Sequence, residues 1–132
     1  MFGRPPEASH LQTGRRGEKQ AERFLKKAGY KILGRRVRVG KHDELDLIAR
    51  MDDTMVFVEV KTRKNETRGR PAAAVNREKR RKLSRAAVTF LQKRKLRPPY
   101  IRFDIIEVIE DPPEIRHIEN AFQLEGGYRI WW

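Results

Sequence analysis

The sequence predicts a mixed α/β domain with the element order helix, three strands, helix, two strands. Two segments carry a helical apolar stripe. Residues 30–39 alternate loosely with basic residues, as an edge strand does, and the next two strand segments are strongly apolar. This order is typical of a mixed β-sheet flanked by helices. The predicted helices cover residues 14–28 and 76–92, and the predicted strands cover residues 30–39, 45–49, 55–61, 101–109 and 115–122.

Both predicted helices have recognisable ends. Gly29 suits the left-handed position that follows a helix, and Asn76 suits an N-cap. Residues 1–13 lack periodicity, so we expect a flexible N-terminal tail before a single domain at residues 14–132. The expected core residues are Ala21, Phe24, Leu25 and Ala28 in the first helix and Val75, Leu83, Ala86, Ala87, Phe90 and Leu91 in the second.

The second and third strands read as a hairpin because turn-forming residues, Asp52-Asp53-Thr54, lie between them. Side chains alternate along a strand, so Glu59 and Lys61 are expected to share one face. The alternate residues Val56, Val58 and Val60 are expected to occupy the other face. Two acids, Asp46 and Glu59, therefore fall on consecutive apolar strands.

The charge balance narrows the class of partner. The 132 residues include 31 Lys and Arg against 18 Asp and Glu, a net charge of +13, which favours nucleic acid or an acidic membrane. No apolar run approaches the ~20 residues that a membrane-spanning helix needs, so we expect no membrane partner. The chain has no Cys, which excludes disulfides and thiolate zinc sites and suits a cytoplasmic protein. The scattered histidines, His10, His42 and His117, are expected at the surface.

The acids predict a cation site. Two carboxylates ~4 Å apart repel each other by about 4 kcal/mol at an effective dielectric constant of 20, unless one binds a proton or a cation joins them. Mg²⁺ prefers oxygen ligands, needs few protein carboxylates and keeps water molecules. Asp46 and Glu59 therefore indicate a divalent cation site with hydrolytic chemistry. The alternative is a solvated sheet face on which Lys61 simply pairs with Glu59.

Two further charged residues lie on apolar helix stripes. Glu18 shares the stripe of Ala21 and Leu25, so its carboxylate is expected to project toward the sheet. The alternative is a first-turn carboxylate that the helix dipole stabilises. Lys79 shares the stripe of Leu83, and its ammonium either points at the acids or extends into solvent along its aliphatic stem.

These residues together resemble a known pattern. An acid on a helix, an acid on a strand and Glu-x-Lys on the next strand resemble the restriction-endonuclease-like superfamily, the PD-(D/E)xK nucleases. More narrowly, the chain resembles the YraN-like family of uncharacterised bacterial proteins, within that superfamily similar to archaeal Holliday junction resolvases. The segments that carry this resemblance are Gly17-Glu18, Glu44 to Ala49, Val56 to Arg63, Lys79, Arg102-Phe103-Asp104 and His117 to Phe122.

The resemblance implies a restriction-endonuclease-like fold and a Mg²⁺-dependent DNA endonuclease, with Mn²⁺ as a substitute cation. It implies that Asp46, Glu59 and the backbone carbonyl of Val60 ligate the cation. It also implies that Lys61 is the catalytic lysine and that Glu18 completes the acidic set. The same resemblance favours a structure-selective enzyme and allows a twofold homodimer.

Nucleic-acid contacts are expected from basic residues beside the acids, namely Arg63, Lys64, Arg68, Lys79 and Arg80. The rival hypothesis is a noncatalytic basic nucleic-acid-binding protein, for example one associated with ribosomes. It predicts binding that weakens steeply with salt and does not respond to EDTA. Inward-facing acids distinguish the two hypotheses, because a protein that only binds phosphates has no use for them.

Overall fold

The structure, a computed structural model, describes the backbone of residues 6–65 and 75–128 and the side chains from residue 14 onward within those ranges. The order α-β-β-β-α-β-β that the sequence predicts is confirmed. The elements are α1 (Pro6–Lys27), β1 (Lys31–Val39), β2 (Asp43–Met51), β3 (Thr54–Arg63), α2 (Arg77–Arg94), β4 (Tyr100–Ile109) and β5 (Glu114–Phe122).

The five strands form one sheet in the order β1-β2-β3-β4-β5. Neighbouring strands are antiparallel except for β3 and β4, which are parallel. A parallel pair cannot be joined by a tight turn, so the chain crosses over between these two strands, and α2 lies in that crossover. Strand β1 is at the edge of the sheet, as its alternating basic residues predict.

A helix covers each face of the sheet. The α1 face buries Ala21 and Leu25 against β2 and β3, and the α2 face buries Leu83 and Phe90 against the opposite side. Burying an aliphatic or aromatic side chain of this size contributes about 1.5–3 kcal/mol. All six residues predicted for the core of the second helix are buried, namely Val75, Leu83, Ala86, Ala87, Phe90 and Leu91.

Local signals predict the helix ends with one exception. Asn76 caps α2, because its side chain accepts a hydrogen bond from the Lys79 backbone N–H, and Gly29 follows α1 with φ +97°. The start predicted near Gly14 was wrong, since α1 begins at Pro6. A helix that is already nucleated extends at little cost through polar residues, even without an apolar stripe.

Two predictions concern the ends of α1. Residues 1–5 of the predicted tail lie outside the described part of the chain, and residues 6–13 of that tail are helical and belong to α1. Ala28 is exposed rather than buried, because α1 ends at Lys27 and the backbone turns away there. Neither α1 nor α2, over the residues described, is long and apolar enough to cross a membrane.

Candidate functional site at the end of β2 and β3

Asp46 lies where β2 and β3 separate. The described ladder between these strands ends at the pair Leu47↔Val58. Just beyond it, the backbone N–H of Val60 donates to Oδ2 of Asp46 at 2.9 Å. A carboxylate therefore takes the place of a ladder carbonyl, and β3 continues as the parallel partner of β4 alone. This opening brings Asp46 toward the second half of β3.

Burial and neighbouring charge raise the pKa of the Asp46 carboxyl to about 7. Loss of hydration is the main cause, and the Glu59 carboxylate is the next, with a smaller contribution from Glu18. The Val60 hydrogen bond and the Lys79 ammonium act in the opposite direction but do not outweigh burial. An acid in this state binds a cation or a proton more readily than a solvated aspartate does.

Glu59 is held between two lysines. It is only 7% exposed, and Nζ of Lys61 and Nζ of Lys79 each lie 3.6 Å from its Oε1. Lys61 reaches Glu59 from the same strand face, as period-two alternation predicts, and Lys79 reaches it from α2. Both lysines thus stand beside the carboxylate rather than extending away from it.

Glu18 reaches the same region from α1. Its Oε2 accepts a hydrogen bond from Nε of Arg36 at 2.6 Å, and its charge raises the pKa of Asp46. The projection of Glu18 toward the sheet is therefore as predicted, although its direct partner is an arginine. The structure brings five of the predicted side chains together where β2 and β3 separate, and we call this group the acidic centre: Glu18, Asp46, Glu59, Lys61 and Lys79.

The basic residues predicted to bind nucleic acid are in different situations. Nε of Arg63 lies 2.6 Å from a carboxylate oxygen of the buried Glu107. Arg80 donates to Glu125 and to the Val75 carbonyl, both at 3.0 Å. Lys64 is exposed, and Arg68 lies outside the described residues.

Arg36 is a site residue that the sequence reasoning missed. It faces Glu18 directly and also experiences the charges of Glu44 and Asp46. The available signal was the pair Arg35-Arg36, which interrupts the alternation of an edge strand. On its own, however, such a pair is typical of a solvated edge.

A second buried polar cluster was also missed, and it corrects the prediction of a surface His117. The side chain of His117 is only 10% exposed, and its Nε2 lies 2.7 Å from Oδ2 of the fully buried Asp104. Asp104 also accepts two hydrogen bonds from Arg102, at 2.8 and 2.9 Å, and one from the Asn120 backbone N–H at 2.9 Å. The cluster joins β4 to β5.

A hard divalent cation suits the donor set of the acidic centre. Among the described residues, no three His, Cys, Asp or Glu side chains form a group that could hold a metal ion. Mg²⁺, however, is commonly held by one or two protein carboxylates together with water. Asp46 and Glu59, with the carbonyl of Val60 next to Glu59 in sequence, could supply such a set. Burial first and the Glu59 charge second raise the pKa of Asp46, so the two acids lie close enough to act on each other.

Comparison with known proteins identifies relatives over most of the chain. A family model described as "Uncharacterised protein family UPF0102" matches residues 17–108. A UPF0102 protein of Geotalea uraniireducens is 43% identical over 120 residues, covering 89% of this chain and 94% of the relative. A UPF0102 protein of Clostridium acetobutylicum is 44% identical over 117 residues, covering 86% and 95% respectively. The matched range contains all the acids and lysines of the acidic centre.

Proposed function

The chain belongs to the uncharacterised protein family UPF0102, and since this description names no activity, we propose from the acidic centre that the protein is a Mg²⁺-dependent DNA endonuclease. The proposed enzyme has a restriction-endonuclease-like fold and selects branched structures, as archaeal Holliday junction resolvases do. The YraN-like resemblance agrees with the family, and the nuclease assignment is our inference from the site.

The observation that carries this proposal is the pairing of Asp46 with Glu59. Two neighbouring carboxylates of low exposure destabilise the fold, because burial penalises each charge and the charges repel each other. Their presence therefore favours a functional role. Lys61 and Lys79 stand beside them. Clusters of this type, with a strongly shifted pKa, are typical of catalytic sites.

Each residue has a proposed role in phosphodiester hydrolysis. Asp46, Glu59 and the Val60 carbonyl would hold the cation, which supplies Lewis-acid stabilisation of the phosphate charge and activation of water. The Lys61 ammonium orients the attacking water or stabilises the charge that develops on the phosphate oxygens. Lys79 holds a non-bridging phosphate oxygen, and Glu18 adds to the negative charge around the cation.

The substrate class follows from charge. A net charge of +13 attracts a polyanion over the whole protein, while the acids act locally, at the point where β2 and β3 separate. Over the residues described, the two helices and one sheet include no separate module for reading bases, which favours recognition of DNA shape. A symmetric junction would be cut by a twofold homodimer with paired centres.

The direct test is a cleavage assay on a branched DNA with Mg²⁺. We expect the wild-type protein to nick the branch, and Glu59→Gln and Lys61→Met to lose activity by at least about 100-fold, as expected for residues that assist proton transfer and stabilise charge. Glu22→Gln is the matched control. Like Glu18, Glu22 lies on α1 and pairs with an arginine of β1, but its charge is not among the main causes of the raised pKa of Asp46.

Equal activity in all four proteins would identify a contaminating nuclease and contradict the proposal. Cleavage that persists in EDTA would contradict the cation requirement. Native gels in Ca²⁺ separate binding from cutting, because the two site variants should still bind DNA.

A noncatalytic nucleic-acid-binding protein is the second candidate. The observation that favours it is that Glu18 and Glu59 already have cationic side-chain partners. This candidate predicts no cleavage under any conditions, a steep loss of affinity with salt, and unchanged or tighter binding after Asp46→Ala. Weaker Ca²⁺-supported binding after Asp46→Ala would contradict it.

A further inference from the structure

Arg36 and Asp46 lie on neighbouring strands, between the same two pairs of the β1–β2 ladder. Arg35 pairs with Leu47 on one side of them, and Val37 pairs with Leu45 on the other. The side chain of Arg36 is 35% exposed and that of Glu18 is 17% exposed. The guanidinium therefore enters the acidic centre from the edge of the sheet while part of it still contacts solvent.

The Arg36 guanidinium interacts with the same carboxylates that would attract a divalent cation. Its hydrogen bond to Glu18, from Nε to Oε2 at 2.6 Å, is the main cause of its raised pKa, and the Glu44 and Asp46 carboxylates raise the pKa further. Three carboxylates thus act on one side chain that carries a permanent positive charge. In the cation-free protein, Arg36 partly compensates the charge that a divalent ion would otherwise neutralise.

The backbone at Arg36 is strained in a way that favours this placement. Its φ is +46°, in the left-handed region that non-glycine residues seldom adopt. Such strain is retained where the surrounding structure holds it, and it clusters at functional sites. A register shift between Ile32 and Gly34 precedes it on the same strand. Together these features turn consecutive arginines toward α1.

We propose that Arg36 is an intramolecular counter-ion that competes with a divalent cation for the carboxylates of Glu18 and Asp46. The inference rests on the proposed function, because it assumes that the acidic centre binds such a cation. Arg36 acts through the acids and is therefore a positioning residue. The positive charge of Arg36 opposes the approach of a divalent cation to these acids, so Arg36 lowers the affinity of the centre and sets the cation concentration that it needs.

Arg35 offers a matched comparison on the same strand. It pairs with Glu22, one helical turn after Glu18 on α1, and Lys26 reaches the same carboxylate at 3.0 Å. The side chain of Arg35 is 57% exposed, and Glu22 is the only carboxylate among the described residues that raises its pKa. Removing Arg35 therefore changes the charge of the protein by the same amount without uncovering the acidic centre.

The test is calorimetric titration of the DNA-free protein with Mn²⁺ alone. We expect Arg36→Asn to bind Mn²⁺ roughly fivefold to tenfold more tightly than wild type, as for loss of a partly buried ion pair worth on the order of 1 kcal/mol. Asparagine tolerates the left-handed backbone, so this variant should fold. Arg35→Asn should match wild type, and Arg36→Lys should fall between wild type and Arg36→Asn.

The outcomes separate this inference from the proposed function. Mn²⁺ binding that disappears in Asp46→Asn but is equal in Arg36→Asn and wild type would overturn the competition by Arg36 and leave the cation site standing. Equal tightening in Arg35→Asn and Arg36→Asn would also overturn it, since general charge would then be the cause. Absence of Mn²⁺ binding in every variant would overturn both the inference and the proposed cation site.

Discussion

Gly17 of α1 and Thr62 of β3 approach each other so closely that no side chain fits between them. A Cβ added to Gly17 would lie 2.3 Å from Oγ1 of Thr62. Contacts under about 3 Å force one of the partners to move. Since Glu18 directly follows Gly17 and Lys61 directly precedes Thr62, this contact sets how near the helix acid comes to the strand that carries Glu59 and Lys61.

Gly17→Ala is expected to destabilise the protein by about 1–3 kcal/mol relative to Gly14→Ala, the cost typical of overpacking. Gly14 is the control because it lies in the same helix and has nothing within 4 Å of an added Cβ, so both variants gain the same helix propensity. Chemical unfolding of the two variants measures the difference. Adding Thr62→Ala should restore most of the loss in Gly17→Ala, and a loss that persists would contradict steric contact as the cause.

The stability of the cation-free protein should fall as pH rises through the range in which Asp46 ionises. The pKa of Asp46 is about 7 in the folded protein and near 3.8 when unperturbed, so the folded state holds the proton more tightly between these values. The free energy of unfolding of the wild type, relative to that of Asp46→Asn, should therefore decrease by roughly 2–4 kcal/mol between about pH 4 and pH 7. Thermal unfolding of both proteins in EDTA measures this. A flat difference across that range would contradict the shifted pKa.

Asp104→Asn should destabilise the protein by about 3–5 kcal/mol, because it leaves Arg102 and His117 without their shared carboxylate. Burial acts to raise the pKa of Asp104, but hydrogen bonds from His117, Arg102 and the Asn120 backbone outweigh it and hold the pKa below its ordinary value. The ionised form therefore stabilises the fold above about pH 4, and this contribution is lost as pH falls through the folded pKa.

The measurement for Asp104 is urea unfolding at pH 7 and at several values below pH 4, with Glu119→Gln as control. The Glu119 carboxylate lies 3.5 Å from the hydroxyl of Tyr30, which itself accepts a hydrogen bond from Arg102. Replacement of Glu119 should lower the free energy of unfolding by less than about 0.5 kcal/mol. A difference between wild type and Asp104→Asn that does not shrink in acid would show that shape rather than charge accounts for it.

Lys64→Ala and Arg80→Ala should affect different properties. Lys64 is exposed just after the end of β3, so its loss should weaken DNA binding and lower the slope of log affinity against log salt by about 1. Arg80 is engaged by Glu125 and by the Val75 carbonyl, so its loss should lower stability and leave that slope nearly unchanged. Fluorescence anisotropy over a salt series, beside thermal unfolding, tests both. The reverse pattern would mean that Arg80 leaves its partners to bind DNA.

Much of the fold was predictable from local rules. Alternation along β3 placed Glu59 and Lys61 on one face, and Asn76 and Gly29 marked helix ends, because period-two geometry and capping depend on residues close in sequence. The start of α1 was not predictable in this way. Its first turns carry no apolar stripe, and only their continuity with the packed part of the helix makes them helical.

By itself, the sequence determined the order of the elements and the faces on which Glu59, Lys61 and Glu18 lie, since these follow from backbone periodicity. Only the tertiary structure decided which charges meet: Arg36 with Glu18, and His117 with Asp104. Those pairs depend on strand register and on how α1 lies across the sheet. Such long-range geometry is set by packing of the whole domain, and no single segment of the sequence encodes it.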